Sequence, residues 1–267
     1  MPMNSDNMLG RKDLSLLSRV PAITALFWIV KICTTGMGEA FSDYLNFGLH
    51  ISPAMLLIGG ALALLGALAL QFSRKRYVPW SYWLVVVVIS IYGTMLADVI
   101  GHILRIPFFV SALAYMTLLA ITLTLWHRAE GSLSIHKVFT WRREAFYWAT
   151  VLFTFALGTA VGDMTADTFN WGFLASGLVF IGAILIPAIG YRFFKFNEVF
   201  SFWFAYILTR PLGASFADWL SQSKQRGGVG YGTNVISLVL ALIIAVLVGV
   251  MAIRQKDSRR VELAAVE

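Results

Sequence analysis

Eight apolar stretches alternate with short polar breaks along the chain, at residues 20–45, 51–72, 80–104, 107–127, 145–169, 173–194, 198–222 and 232–253. A helix needs about 20 apolar residues to cross the hydrocarbon core of a bilayer, and each stretch meets that length. Several breaks are only a few residues long, which predicts helical hairpins. Pro53 and Pro107 fall where the second helix of a hairpin begins, a position that tolerates the missing N–H. Pro187 and Pro211 fall inside predicted helices, where kinks are expected. The expected fold class is an all-α integral membrane protein. Its eight transmembrane helices form four tandem two-helix hairpin repeats, pseudo-symmetric about an axis normal to the membrane.

Polar residues interrupt the odd-numbered stretches in a repeated way. The segments TTGMGEAFSD (34–43), GTMLADVIGH (93–102), GTAVGDMTAD (158–167) and GASFADWLSQ (213–222) align without gaps. That alignment puts Glu39, Asp98, Asp163 and Asp218 in one register, 59, 65 and 55 residues apart. Four residues later stand Asp43, His102, Asp167 and Gln222; four residues earlier stand Thr35, Thr94, Thr159 and Ala214. Steps of four return to nearly the same helix face, so each segment presents a row of oxygen or imidazole ligands. Residues Gly38, Ala97, Gly162 and Ala217, with Thr34, Gly93, Gly158 and Gly213 four before them, make a small-residue stripe on the adjacent face. Such stripes let membrane helices approach closely. Trp83, Trp148 and Trp203 each precede their acid by fifteen residues, whereas Trp28 precedes Glu39 by eleven. These tryptophans fit interfacial anchors.

Composition excludes a soluble domain: 58% of residues are hydrophobic and only 13% charged, against about 25% charged in soluble proteins. The formal charge of +7 does not point to nucleic acid, because the basic residues sit in tails and short loops. Arg11, Lys12 and Arg19, Arg74–Arg76, Arg128–Arg143, Arg192 and Lys195, and Arg254–Arg260 alternate with outer loops carrying only Arg105, Lys224 and Arg226. The positive-inside rule then places both termini in the cytoplasm of a multi-pass protein of the cytoplasmic (inner) membrane. The first nineteen residues are polar and basic, so no cleavable signal peptide is expected. The expected layout is a tail at 1–19, a first half at 20–127, a cytoplasmic linker at 128–144, a second half at 145–253 and a tail at 254–267. The lone Cys33 rules out a disulfide framework or a cysteine metal site.

A charge inside a bilayer costs roughly 2.5–3.5 kcal/mol, so six aligned carboxylates call for a function. Glu39, Asp43, Asp98, His102, Asp163, Asp167 and Asp218 are expected metal ligands, with Thr35, Thr94, Thr159 and Gln222 around them. Carboxylates with one imidazole suit a hard divalent ion, Mn²⁺ ahead of Mg²⁺ or Ca²⁺. Crowded carboxylates also take up protons. The expectation is therefore a proton-coupled divalent-cation transporter rather than an enzyme. Its partners are the lipid bilayer, the metal cation and protons. Lys31 and Arg210, eight residues before Glu39 and Asp218, are expected counter-ions. Two alternatives use the same acids: an intramembrane metal-dependent hydrolase, although no H-E-x-x-H or G-x-S-x-G motif is present, and a metal-binding protein that does not transport.

The segments FWIVKICTTGMGEAFSDYL (27–45) and FWFAYILTRPLGASFADWL (202–220) resemble bacterial multi-pass membrane proteins built from four DUF347 repeats. The resemblance covers residues 20–253. It implies four two-helix repeats, each with a characteristic tryptophan, and no established activity. Trp28 is the one departure.

Topology is directly testable. On a Cys33→Ala background, cysteines placed in 73–75 and 131–134 should react from the cytoplasmic side, and those in 46–50 and 224–228 from outside. Labelling of position 46 from the cytoplasm alone would overturn the assignment.

Overall fold

The computed structural model describes residues 18–264. Arg11 and Lys12 lie outside the described residues, as do the side chains of Arg259 and Arg260. Eight α-helices and no strand occur among the described residues: α1 (Ala25–Asp43), α2 (Pro53–Phe72), α3 (Pro79–Asp98), α4 (Phe108–Glu130), α5 (Trp141–Asp163), α6 (Gly172–Phe193), α7 (Glu198–Ser221) and α8 (Thr233–Ala264). Helix starts follow the local chemistry. Thr24, Ser52, Thr140 and Asn197 accept hydrogen bonds from the first-turn amides of α1, α2, α5 and α7. Pro53 and Pro79 occupy the first turns of α2 and α3, and Pro107 caps α4. The segment between α4 and α5 is only 131–140, shorter than the expected linker, because left-handed Gly131 ends one helix and Thr140 caps the next. Helix α8 runs through the expected tail at 254 as far as Ala264. No glycine or proline stands there to stop it.

Six of the eight helices are long and apolar enough to cross a membrane: α2, α3, α4, α5, α6 and α8. The remaining two, α1 and α7, carry Lys31, Glu39 and Asp43, and Glu198, Arg210 and Asp218. They are among the helices that the molecule buries most. Helices α1, α3, α5 and α7 form a closed inner ring, α1 against α3, α3 against α5, α5 against α7 and α7 back against α1. The even helices lie outside and expose Leu, Ile, Val and Phe. Each packs chiefly on the inner helix that follows it: α2 on α3, α4 on α5, α6 on α7, and α8 on α1. The sequential hairpins expected from the short breaks are therefore splayed, and the last helix closes on the first. The connections show why. After α1, α3 and α5 the chain makes a π-turn at Tyr44–Gly48, Val99–Ile103 or Met164–Thr168. A left-handed residue then redirects it: His50 (φ 52°), Arg105 (φ 56°) or Asn170 (φ 55°).

The close approaches in the ring set the true register of the repeats. A Cβ on Gly38 would stand under 3.0 Å from Ser90, one on Gly93 from Phe155, one on Gly158 from Arg210, and one on Gly213 from Thr35. Each inner helix thus offers a glycine to a side chain of the next, and the fourth offers its glycine to the first. These glycines lie five residues before Asp43, Asp98, Asp163 and Asp218. The π-turns give the same alignment, since they begin directly after Asp43, Asp98 and Asp163. Asp43, not Glu39, is the counterpart of the other three acids, and the spacings become 55, 65 and 55 residues. Glu39 aligns with Thr94, Thr159 and Ala214. The expected alternation of acid–acid and acid–neutral pairs disappears, because the pairs are Asp43/Phe47, Asp98/His102, Asp163/Asp167 and Asp218/Gln222.

In this register all four tryptophans stand fifteen residues before the aspartate, so Trp28 is not displaced. Nor do they act as interfacial anchors. Trp83, Trp148 and Trp203 are buried and Trp28 is half-buried. The residue before each packs on the tryptophan of the next inner helix: Phe27 on Trp83 at 5.6 Å, Tyr82 on Trp148 at 5.2 Å, Tyr147 on Trp203 at 6.0 Å and Phe202 on Trp28 at 5.8 Å. This second ring of contacts closes the end of the bundle opposite the aspartates.

The glycine contacts are testable by overpacking. Gly213→Ala would bring a methyl within 2.9 Å of the Ile32 carbonyl oxygen, a backbone atom that cannot rotate away. A loss of about 1–3 kcal/mol is expected. Gly59→Ala, inside α2 with nothing within 4 Å, should hold or raise stability, since alanine favours a helix interior over glycine. Thermal unfolding in detergent compares the two.

Candidate functional site

Asp43, Asp98 and Asp163 end their inner helices, Asp218 lies three residues before the end of α7, and the four form one tier of carboxylates around the ring. Asp43, Asp98 and Asp218 are buried, and Asp163 is half-buried. Asp98, Asp163 and Asp218 all lie within electrostatic reach of Glu39 and Asp43. The Gln222 amide donates to Asp43 at 2.8 Å, and Ser42 Oγ donates to Asp98 at 3.3 Å. Asp163 Oδ2 and Asp218 Oδ1 are buried without a hydrogen-bond partner. Such unmet acceptors are rare because each costs the desolvation of the group. At the rim, His102 Nδ1 lies 3.9 Å from Asp98 Oδ1. One ligand atom each from Asp98, His102 and Asp163 lie within 4.8 Å of one another. Ligands held at about 2.1–2.4 Å from one ion are at most about 4.2–4.8 Å apart, so these three could share it. Asp167 is exposed at the rim.

The tier beneath holds Glu39, Thr94 and Thr159 around the guanidinium of Arg210. Arg210 is fully buried and reaches across the ring from α7. It pairs with Glu39 and donates to Thr94 Oγ1, to Thr159 Oγ1 at 2.8 Å and to the Thr35 carbonyl at 2.9 Å. Every other inner helix therefore holds it. The fourth residue of this tier is Ala214, on the same helix as Arg210. Thr94 and Thr159 thus serve the arginine, and Glu39 is its counter-ion. Thr35 lies one turn deeper, where its hydroxyl donates to the carbonyls of Ile32 at 2.7 Å and Thr209 at 3.0 Å. Lys31 lies deeper still. Its ammonium stands 3.8 Å from the Phe155 ring centroid and 4.3 Å from that of Tyr206, and it has no hydrogen-bond partner.

A family model of a repeat of unknown function, DUF347, matches residues 26–77, 81–132, 146–196 and 201–257. The chain belongs to the DUF347 repeat family. Each match places its aspartate, Asp43, Asp98, Asp163 or Asp218, seventeen residues after its start, in agreement with the register of glycines and tryptophans. No curated protein and no solved structure matches the chain.

Two polar features of this DUF347 protein are not apparent in its repeats. Glu144 is fully buried at the tryptophan end, where it accepts from Arg19 at 2.6 Å, Gln71 at 2.8 Å and Trp148 at 3.4 Å. Its equivalents in the other repeats are Thr24, Pro79 and Val199, so periodicity gives no warning of it. Tyr82 and Tyr147 share a hydrogen bond of 2.5 Å at the same end. A lateral groove of about 490 Å³ opens between α1, α6, α7 and the α4–α5 segment, lined by Ile32, Leu185, Pro187 and Phe202. It is apolar and lies away from the carboxylates.

Glu39→Gln leaves Arg210 buried without its ion pair, and a loss of about 3–5 kcal/mol is expected. Asp167→Asn, at an exposed position, should change stability by no more than about 0.5 kcal/mol. Denaturant unfolding in mixed micelles distinguishes them. Equal stability of Glu39→Gln and wild type would show that the pair contributes nothing.

Proposed function

We propose that the chain is a transporter of a hard divalent cation, with Mn²⁺ favoured, coupled to protons. The observation that carries this reading is the pair of buried carboxylate oxygens without partners, Asp163 Oδ2 and Asp218 Oδ1, in a tier to which four helices each contribute an aspartate. A cation shared with Asp98 and His102 would satisfy the first, and a second ion or a proton the other. The ligands are Asp43, Asp98, His102, Asp163 and Asp218, with Asp167 receiving the ion at the rim. One imidazole among carboxylates favours Mn²⁺ over Ca²⁺. Protons compete for the same oxygens and provide the coupling.

In this reading all eight helices span the cytoplasmic membrane. The inner ring is pseudo-symmetric about an axis along the membrane normal, and α1 and α7 are shielded from lipid by the outer helices. Both termini are cytoplasmic, which turns the carboxylate tier outward and the aromatic end inward. Parallel repeats about such an axis, with the substrate site at their interface, are a known transporter plan.

Asp163→Asn removes a ligand and a charge while remaining nearly isosteric. Metal-free stability should hold or rise, because one repulsive charge is gone. The Mn²⁺ affinity read from the thermal shift and Mn²⁺ uptake into proteoliposomes should both fall at least about tenfold, and further as pH drops. Asp167→Asn should lose less. A full metal response in Asp163→Asn would sink the reading.

A further inference from the structure

Beneath the aspartates the oxygens of Glu39, Thr94, Thr159 and the Thr35 carbonyl are taken up by the Arg210 guanidinium. Going inward from the aspartates, the first group is the Arg210 guanidinium, then the Phe155 ring, then the Lys31 ammonium against Tyr206, then the Tyr82–Tyr147 pair. The Arg210 and Lys31 side chains are both fully buried. An inorganic cation moving inward from the tier meets a fixed positive charge that already occupies the next oxygens, those of Glu39, Thr94 and Thr159.

The sequence seats that charge with care. Gly158 is the glycine against which the Arg210 Cβ and Cγ pack, so any larger residue there would displace the stem. Ala214 stands in its own helix where the other three repeats place Glu39, Thr94 and Thr159. Its small side chain leaves the centre of that tier to the guanidinium. The counterparts of Arg210 are Thr35, Ser90 and Phe155, so one repeat alone supplies the arginine and the other three supply its acceptors.

Resting on the reading that the tier binds cations, we propose that Arg210 is the inner gate and charge filter of that site. It is a tethered cation that closes the axis while Glu39, Thr94, Thr159 and the Thr35 carbonyl hold it, with Lys31 as the second barrier. The aspartates then exchange ions with one side only, and passage inward requires the arginine to leave its acceptors. A carboxylate freed from Arg210, Glu39, becomes the next ligand along the path, which links opening of the gate to forward movement of the ion.

The test uses the full chain in proteoliposomes, with Mn²⁺ as the metal probe and a trapped pH dye for protons. Glu39→Gln/Arg210→Gln neutralises both partners, so no lone charge is left buried. It should keep a Mn²⁺ thermal shift in detergent yet admit Mn²⁺ and protons down their gradients at least about tenfold faster than wild type. Thr94→Val/Thr159→Val removes two acceptors without touching a charge. It should give a smaller increase in both leaks, and it carries the test if the first variant does not fold. Lys31→Met added to either variant should raise the leak again. Variants that fold and are as tight to both ions as wild type would overturn the gate. Absence of any Mn²⁺ shift in the wild type would instead overturn the metal reading. The gate then stands or falls on the proton leak alone, which must still rise.

Discussion

Four glycines set the distance between the inner helices, and most other features of the molecule depend on that distance. At Gly38, Gly93, Gly158 and Gly213 the side chain of the neighbouring helix occupies the space where a Cβ would be. The helices consequently approach more closely than branched side chains would permit, which is how packing drives association where lipid tails compete equally for apolar surface. The same four contacts fix rotation as well as separation. With the glycine turned to one neighbour, the aspartate five residues later turns to the centre. Arginine, glutamate and threonines then meet within hydrogen-bond reach, although they come from four distant parts of the chain.

The ring is also graded along its length. One end is a tier of acids, two with unmet acceptors; the middle holds Arg210 and Lys31; the other end is packed aromatic rings, with Glu144 hydrogen-bonded behind them. Ionic groups buried in this way rarely add stability over apolar packing, and losing one partner is severe. Their arrangement therefore follows what the axis does with charge. Helices α1 and α7, the two not apolar enough to count as membrane-crossing helices by themselves, are neighbours in the ring, and the Arg210–Glu39 pair joins them.

Helix number, the outward-facing apolar even helices and the acid-bearing odd helices were legible from periodicity and composition, because both report burial directly. The alignment of the first repeat was not. Glu39 in GMGEAFSD lies one turn before Asp43, and an ungapped match of acids takes whichever carboxylate comes first. Trp28 already held the correction, since it stands fifteen residues before Asp43 as the other tryptophans do before their aspartates. Tryptophan at a helix start looks the same in sequence whether it faces headgroups or a neighbouring tyrosine, so its burial could be decided only by packing. Arg210 reads as a counter-ion from its spacing to Asp218, yet its partner Glu39 lies 171 residues away. No local pattern encodes that pairing, nor the choice of each outer helix to pack on the next inner helix.

Closure of the ring by α7 against α1, with α8 packed outside, has a consequence for biogenesis. Helix α1, carrying Lys31, Glu39 and Asp43, leaves the ribosome before the other three repeats, while the arginine that neutralises Glu39 and the helix that covers α1 belong to the fourth. Domains usually mature from the N-terminus as they emerge. Here the first repeat lacks its partner and its cover until the fourth has been made. Assembly of the ring therefore waits for the fourth repeat, and a nascent fragment of three repeats is an open arc with an ionic helix at its edge.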